Sequence, residues 1–285
     1  MCRQLFARLE ARRCLKDIEP RLFPDDGGPE QGEVVEVYGP EGTGKTELLY
    51  HLLSRCVLPE VAGGLEVDVV FVDTDHSLDM FRLASVLDSR LTAGLSTSSS
   101  SAGSNEAALR LCLSRLLVVH CSSSSQLLLT LHFLETTLCS RPSLALLLID
   151  SISTFYWSDR SEGGANVSTH EEKLSKSSEL LGRLLRDYRI TIFAACHAIR
   201  RSTSGPPSSS ETDRPYLCRP WQRLVTHRLL CSRQEAEPDR TASDRGAEEQ
   251  RRRQVFRVHC TSSSSGAKGS RTSYFRVTDG GVEFI

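Results

Sequence analysis

The sequence predicts an α/β fold, with a mostly parallel central sheet flanked by helices and extra edge strands at the C-terminus. Three observations predict it. Five near-continuous apolar runs, at 34–38, 67–73, 116–120, 144–150 and 190–195, have the length and hydrophobicity of strands covered on both faces. Helical spacing of apolar residues fills the intervals at 45–57, 78–91, 107–114, 126–139 and 171–188, and such alternation implies right-handed crossovers between parallel strands. The third observation is the junction Gly39-Pro40-Glu41-Gly42-Thr43-Gly44-Lys45-Thr46, which fits the phosphate-loop pattern G-x-x-x-x-G-K-[ST] between a strand and a helix.

The first strand, 34–38, therefore leads into a loop with a chemical purpose. Glycines let the backbone wrap closely enough for its N–H groups to face phosphate oxygens, and the helix 45–57 adds the positive end of its dipole. Lys45 is assigned to the β and γ phosphates of ATP and the Thr46 hydroxyl to Mg²⁺. A glycine turn that happens to carry a lysine is the bland alternative; all four fixed positions and both flanks argue against it. A metal at such a loop also needs a carboxylate at the end of another strand. The run Leu144-Ala145-Leu146-Leu147-Leu148-Ile149-Asp150 supplies it, with Asp150 reaching the ion through water.

The second strand, 67–73, ends in Asp73-Thr74-Asp75-His76. A serine-rich insertion at 92–105 separates the helices 78–91 and 107–114. After the fifth strand the pattern changes. Ser202-Thr203-Ser204-Gly205-Pro206-Pro207 and Ser208-Ser209-Ser210 bury too little apolar surface to order themselves, so 198–220 is expected to be a flexible loop. Three short strands follow at 223–231, 254–260 and 273–277, with the charged connection 234–253 looping out. The domain reading is one core at 32–285 preceded by an arm at 1–31. The apolar residues Leu5, Phe6, Leu9 and Leu15 of that arm, spaced as on a helix before Pro20, suit docking on its own core or on a neighbouring subunit.

Composition narrows the function classes. A net charge of −1 over 285 residues gives no bulk electrostatic case for nucleic acid or an acidic membrane surface. The ten cysteines are scattered, with no C-x-x-C pair and no finger-like cysteine–histidine cluster, which predicts a reduced, intracellular chain without a zinc site. The start MCRQLFARLEARRC lacks the apolar core of a secretory signal, and no apolar run approaches the roughly 20 residues of a membrane helix.

With the phosphate loop, Phe71-Val72-Asp73-Thr74-Asp75, Leu148-Ile149-Asp150-Ser151 with Phe155-Tyr156, the long helix before Asp187-Tyr188-Arg189, and 190–197, the chain resembles the RecA/Rad-type recombinases. Cys121-Ser122-Ser123-Ser124, Phe155-Tyr156-Trp157-Ser158-Asp159-Arg160, Gly281-Val282-Glu283-Phe284 and the lack of an N-terminal helical DNA-binding domain narrow the resemblance to the recombinase paralogues. It implies a P-loop NTPase of RecA-like type, with ATP held between adjacent subunits. In that family the second strand ends in D-T-E, whose glutamate positions the attacking water. Asp75 stands there, one methylene shorter, and displacing a catalytic carboxylate by about 1 Å costs on the order of a hundredfold in rate. The family's fifth strand ends in Asn-Gln, a γ-phosphate sensor; here Cys196-His197 replaces it, and imidazole is not an isosteric amide donor. As the bland reading, His197 is simply a polar residue at a strand end.

The family's two DNA-facing loops also differ. The first, 157–169, offers only Arg160 against Asp159 and Glu162, although phosphate contacts need cations. The second carries Arg200, Arg201, Arg214 and Arg219 on a Ser/Pro-rich tether that suits a solvated surface equally well. Tyr156 and Trp157 offer faces for stacking on bases, or packing groups beside a core strand. The resemblance implies a nuclear accessory subunit of homologous recombination repair at DNA double-strand breaks and stalled forks. Its expected partners are other recombinase paralogues in a heteromeric complex, and single-stranded or branched DNA through that complex, with no membrane. ATP binding with weak or absent hydrolysis is the expected activity. An active DNA-dependent ATPase or strand-exchange enzyme is the alternative, and Asp75 and His197 count against it. A small-molecule kinase would need a basic substrate lid, and 92–105 has no basic residue. A scaffold with an empty pocket differs from the preferred reading only in nucleotide affinity. Arg251-Arg252-Arg253 is a short basic cluster, and nuclear entry with a partner is an equal route.

Overall fold

The computed structural model describes residues 12–95, 102–162, 171–197, 217–234, 254–263 and 268–285. Its elements run β1 (Val34–Gly39), α1 (Lys45–Val57), β2 (Asp68–Asp73), α2 (Met80–Leu95), α3 (Ala102–Ser114), β3 (Leu116–His120), α4 (Ser124–Ser140) and β4 (Leu144–Asp150). They continue with α5 (Tyr156–Glu162), α6 (Glu172–Tyr188), β5 (Thr191–His197), α7 (Arg219–Leu224), β6 (Val225–Arg233), β7 (Val255–Ser263), β8 (Lys268–Thr278) and β9 (Gly281–Phe284). The strands form one sheet in the order β3-β2-β4-β5-β1-β6-β7-β8-β9. Pairing is parallel from β3 to β6 and antiparallel from β6 to β9, the α/β architecture with C-terminal edge strands that the sequence predicts. No helix among the described residues is long and apolar enough to cross a membrane.

Both faces of the parallel part are covered, which is why its strands read as unbroken apolar runs. One core packs Leu48, Leu52 and Val57 of α1 and Leu83, Leu87 and Leu91 of α2 against Val35, Val37, Val69 and Phe71. The other packs Leu127, Leu131 and Leu134 of α4 and Leu181 and Leu184 of α6 against Val34, Val70, Leu147 and Ile192. Register then gathers the strand ends: Gly39 lies opposite His197, Asp73 opposite Asp150, and Asp73 opposite His120 on its other side.

The described part of the leading arm packs on its own chain. Leu15, Ile18, Leu22 and Phe23 are fully buried in the α1-side core. The Arg12 guanidinium donates to the carbonyls of Leu138 and Leu144 at 2.7 Å and of Tyr188 at 3.0 Å, tying the arm to α4, β4 and α6. Buried cations persist only when so satisfied. The described part of the arm forms short 3-10 turns at Pro20–Leu22 and Pro24–Asp26. Leu5, Phe6 and Leu9 lie outside the described residues.

Several boundaries need correction. The insertion 92–105 is narrower than expected, because α2 continues to Leu95 and α3 begins at Ala102, while 96–101 lie outside the described residues. Gly94 permits the extension: a Cβ there would stand 2.8 Å from the Cα of Ala62. The loop 198–220 ends early, at α7, where Pro220 sits in the first turn and Trp221 is fully buried. That indole donates to Glu36 at 2.7 Å, and Glu36 also accepts from Arg228 at 3.1 Å, so an acidic residue inside β1 is satisfied. Arg200, Arg201, Arg214 and Arg251–Arg253 lie outside the described residues, as do 235–253. The last expected strand, 273–277, is the end of the longer β8, and Asp279-Gly280 turns the chain into β9, which the sequence reading missed.

Candidate functional site

The loop after β1 has the backbone that close phosphate approach requires. Gly42 and Gly44 adopt φ of 70° and 82°, in the left-handed region. Gly39 has no room for a side chain, since a Cβ would meet the Cys231 carbonyl oxygen of β6 at 2.3 Å. Pro40 and Glu41 form the outer turn, and the Thr43 hydroxyl closes it by donating to the Pro40 carbonyl at 2.8 Å. Lys45, at the start of α1, donates from Nζ to the carbonyls of Gly39 at 2.9 Å and Pro40 at 2.8 Å. Burial lowers its pKa below the usual lysine value.

One helical step on, the Thr46 hydroxyl donates to Asp150 Oδ2 at 2.9 Å, and Ser77 Oγ donates to the same oxygen at 3.3 Å. Asp150 is buried at the end of β4, and burial raises its pKa despite those hydrogen bonds. A buried carboxylate beside a threonine hydroxyl and an ammonium group is the oxygen-rich donor set that suits Mg²⁺ and polyphosphate. The residues fit ATP and Mg²⁺.

On the far side of Asp150 the chemistry changes. Asp75, in the turn after β2, accepts from His197 Nε2 at 3.0 Å through Oδ2 and from the Thr154 hydroxyl through Oδ1. Burial opposes ionisation of Asp75, but the hydrogen bonds from His197, Thr154 and Ser151 outweigh it and hold its pKa below the ordinary value. The His197 amide donates to Ser153 Oγ at 2.9 Å, fixing the end of β5. Thr74 donates to the Ser151 carbonyl at 2.7 Å, so the turns after β2 and β4 are laced together. Asp75 and His197, two of the three positions that depart from the recombinase pattern, are thus in direct contact with each other.

The sequence-chosen residues therefore converge as two adjoining groups: Gly39, Pro40, Glu41, Gly42, Thr43, Gly44, Lys45, Thr46 and Asp150 in one, Asp75 and His197 in the other. Sequence reasoning missed Ser77, whose hydroxyl donates to Asp150, and Ser153 and Thr154, which hold His197 and Asp75. Short serine and threonine residues carry no spacing signal of their own. It also treated 157–169 as a loop, whereas α5 occupies its first part and 163–170 lie outside the described residues. Asp159, counted there as a charge opposing DNA, is a buried tie that accepts from Ser124 at 2.7 Å and Lys173 at 3.0 Å. Tyr156 packs against the α4-side core, and Trp157 is 55% exposed with the Arg160 guanidinium 5.5 Å from its ring centre.

The sequence model of the Rad51 family matches residues 21–216. The chain belongs to the Rad51 family. It is 50% identical over 240 residues to the DNA repair protein XRCC2 of Mus musculus, covering 81% of this chain and 83% of that one. It is 27% identical over 192 residues to the mouse DNA repair protein RAD51 homolog 2, covering 66% and 52% of the two chains. The DNA repair and recombination protein RadA of Methanoculleus marisnigri is 29% identical over 187 residues, covering 63% and 55%. Family membership accounts for the sheet order and the loop together.

Proposed function

We propose that this protein is a nuclear accessory subunit of homologous recombination repair. It acts in a heteromeric complex of recombinase paralogues, supports recombinase assembly on single-stranded DNA, and binds ATP–Mg²⁺ with weak or absent hydrolysis. The similarity to proteins named for DNA repair supports the repair role, and the paralogue among them supports a complex. DNA is contacted through the assembly.

The observation that carries the weak-turnover reading is the engagement of both Asp75 oxygens by His197 and Thr154. A carboxylate acts on a water proton only with a basic lone pair aimed at that water. Each Asp75 oxygen already accepts one hydrogen bond from the protein, which constrains its aim, and the lowered pKa makes the carboxylate a weaker base. The cradle has no such conflict. Lys45 would give up its carbonyl partners to hold phosphate oxygens, the loop N–H groups would hold the same anion, and Thr46 and Asp150 would hold the ion. ATP–Mg²⁺, when bound, would supply the phosphate charge and the cation that these donors match.

The test is titration of ATP–Mg²⁺ against the purified chain, alone and with a paralogue partner, alongside phosphate release with and without single-stranded DNA. Nucleotide should bind, and Lys45→Ala should weaken it about 10–100-fold, the worth of a charge-assisted hydrogen bond of about 1.5–3 kcal/mol. Phosphate release should match the Lys45→Ala background. DNA-stimulated release lost on Lys45→Ala would establish the active ATPase instead, and no binding in either state would leave a scaffold.

A further inference from the structure

We propose that Asp73, His76 and His120 form a site for a divalent transition-metal ion of the zinc type, separate from the magnesium site assigned to Thr46 and Asp150. One ligand atom from each of the three residues lies within 4.8 Å of the others. The sheet itself creates the proximity. Asp73 ends β2 and His120 ends β3, directly opposite in the parallel ladder, and the Cys121 amide donates to the Asp73 carbonyl at 2.9 Å to fix that junction. His76 follows three residues after Asp73 at φ 53°, and this left-handed turn brings its ring over His120, with centroids 5.8 Å apart and planes 11° from parallel.

The carboxylate is already held in place. Asp73 is 1% exposed, and the amides of Ser77 and Leu78 donate to its two oxygens at 3.1 and 3.3 Å. Its Oδ2 lies 3.2 Å from His120 Nδ1. Ser122 Oγ lies 3.3 Å from His76 Nε2, a polar partner for the second ring. Such outer contacts orient metal ligands and set imidazole tautomers. Both imidazoles are exposed and turn about their side-chain bonds, which closes the separation to metal–ligand bonds of about 2.0–2.2 Å.

Two imidazoles and one carboxylate favour zinc, cobalt, nickel or iron over magnesium, which prefers all-oxygen ligands. The cysteine spacing that argued against a zinc site carries no information on this one, because its ligands come from two strand ends and a turn. A bound ion would brace the turn that carries Asp75 and Ser77. Binding itself requires neither nucleotide nor a partner.

Cobalt(II) titration of the full-length chain, followed by visible absorption, tests the proposal. One equivalent should bind with the d–d bands of nitrogen and oxygen ligation and no thiolate charge transfer. Zinc should displace it and excess magnesium should not. His76→Ala and His120→Ala should each weaken binding at least about tenfold, while His132→Ala, a surface histidine on α4, changes nothing. Both rings are exposed, so these variants keep the core intact. Thiolate bands, or wild-type affinity no greater than that of the His76→Ala/His120→Ala double variant, would overturn the site.

Discussion

The two halves of the candidate nucleotide site lie side by side at the strand ends, yet they treat their carboxylates in opposite ways. In the cradle, burial drives the pKa of Asp150 up against the hydrogen bonds from the hydroxyls of Thr46 and Ser77. On the other side, hydrogen bonds from His197 and Thr154 hold the pKa of Asp75 below the ordinary value against its burial. Asp150 carries a charge that awaits a cation, whereas the charge of Asp75 is already answered from within the protein. If the site holds a nucleotide as proposed, binding it and hydrolysing it rest on differently built carboxylates.

The largest expected effect converts the Asp75 side towards the recombinase pattern. The Asp75→Glu/His197→Gln variant should raise ATP turnover by up to about a hundredfold, the scale of a 1 Å displacement of a catalytic group. Nucleotide affinity should stay within about twofold. If turnover stays at background while affinity holds, Asp75 and His197 are not what limits hydrolysis. Next comes the cradle's geometry. Gly39→Ala places a Cβ 2.3 Å from the Cys231 carbonyl and should cost about 1–3 kcal/mol in chemical denaturation, with loss of nucleotide binding. An unchanged denaturation midpoint would mean that the β1–β6 junction is more pliant than its contacts indicate.

The smallest effect is the most direct comparison of the two carboxylates. Asp75, with its lowered pKa, contributes stability that is present above the unfolded value near 3.8 and is lost as pH falls through the folded one. Asp150, with its raised pKa, works in reverse: its contribution is lost as pH rises through the folded value. At neutral pH without nucleotide or metal, Asp75→Asn should therefore lower Tm and Asp150→Asn should raise it. Shifts of the same sign would remove the contrast.

Much of this site was legible in the chain. The phosphate loop, Asp150, Asp75 and His197 each stand at the end of an apolar run, where parallel strands place functional groups. Trp221 was not read as a core residue, although Pro220 beside it is a helix-start signal, because the surrounding serine and proline content dominates that window. β9 was missed although Asp279-Gly280 marks a hairpin, because the strand is only four residues long. Asp159 was misjudged because a buried ion pair and a solvated charge look identical in sequence.

What the sequence determined by itself was periodicity and local chemistry: which segments are strands, where the glycines let the backbone turn, and which side chains wait at strand ends. Those follow from interactions between near neighbours. Tertiary structure alone decided that Asp75 meets His197, 122 residues away, that Arg12 ties the arm to β4, and that Asp73, His76 and His120 share one corner. These depend on strand order and on contacts between residues far apart in sequence, which packing of the whole sheet sets.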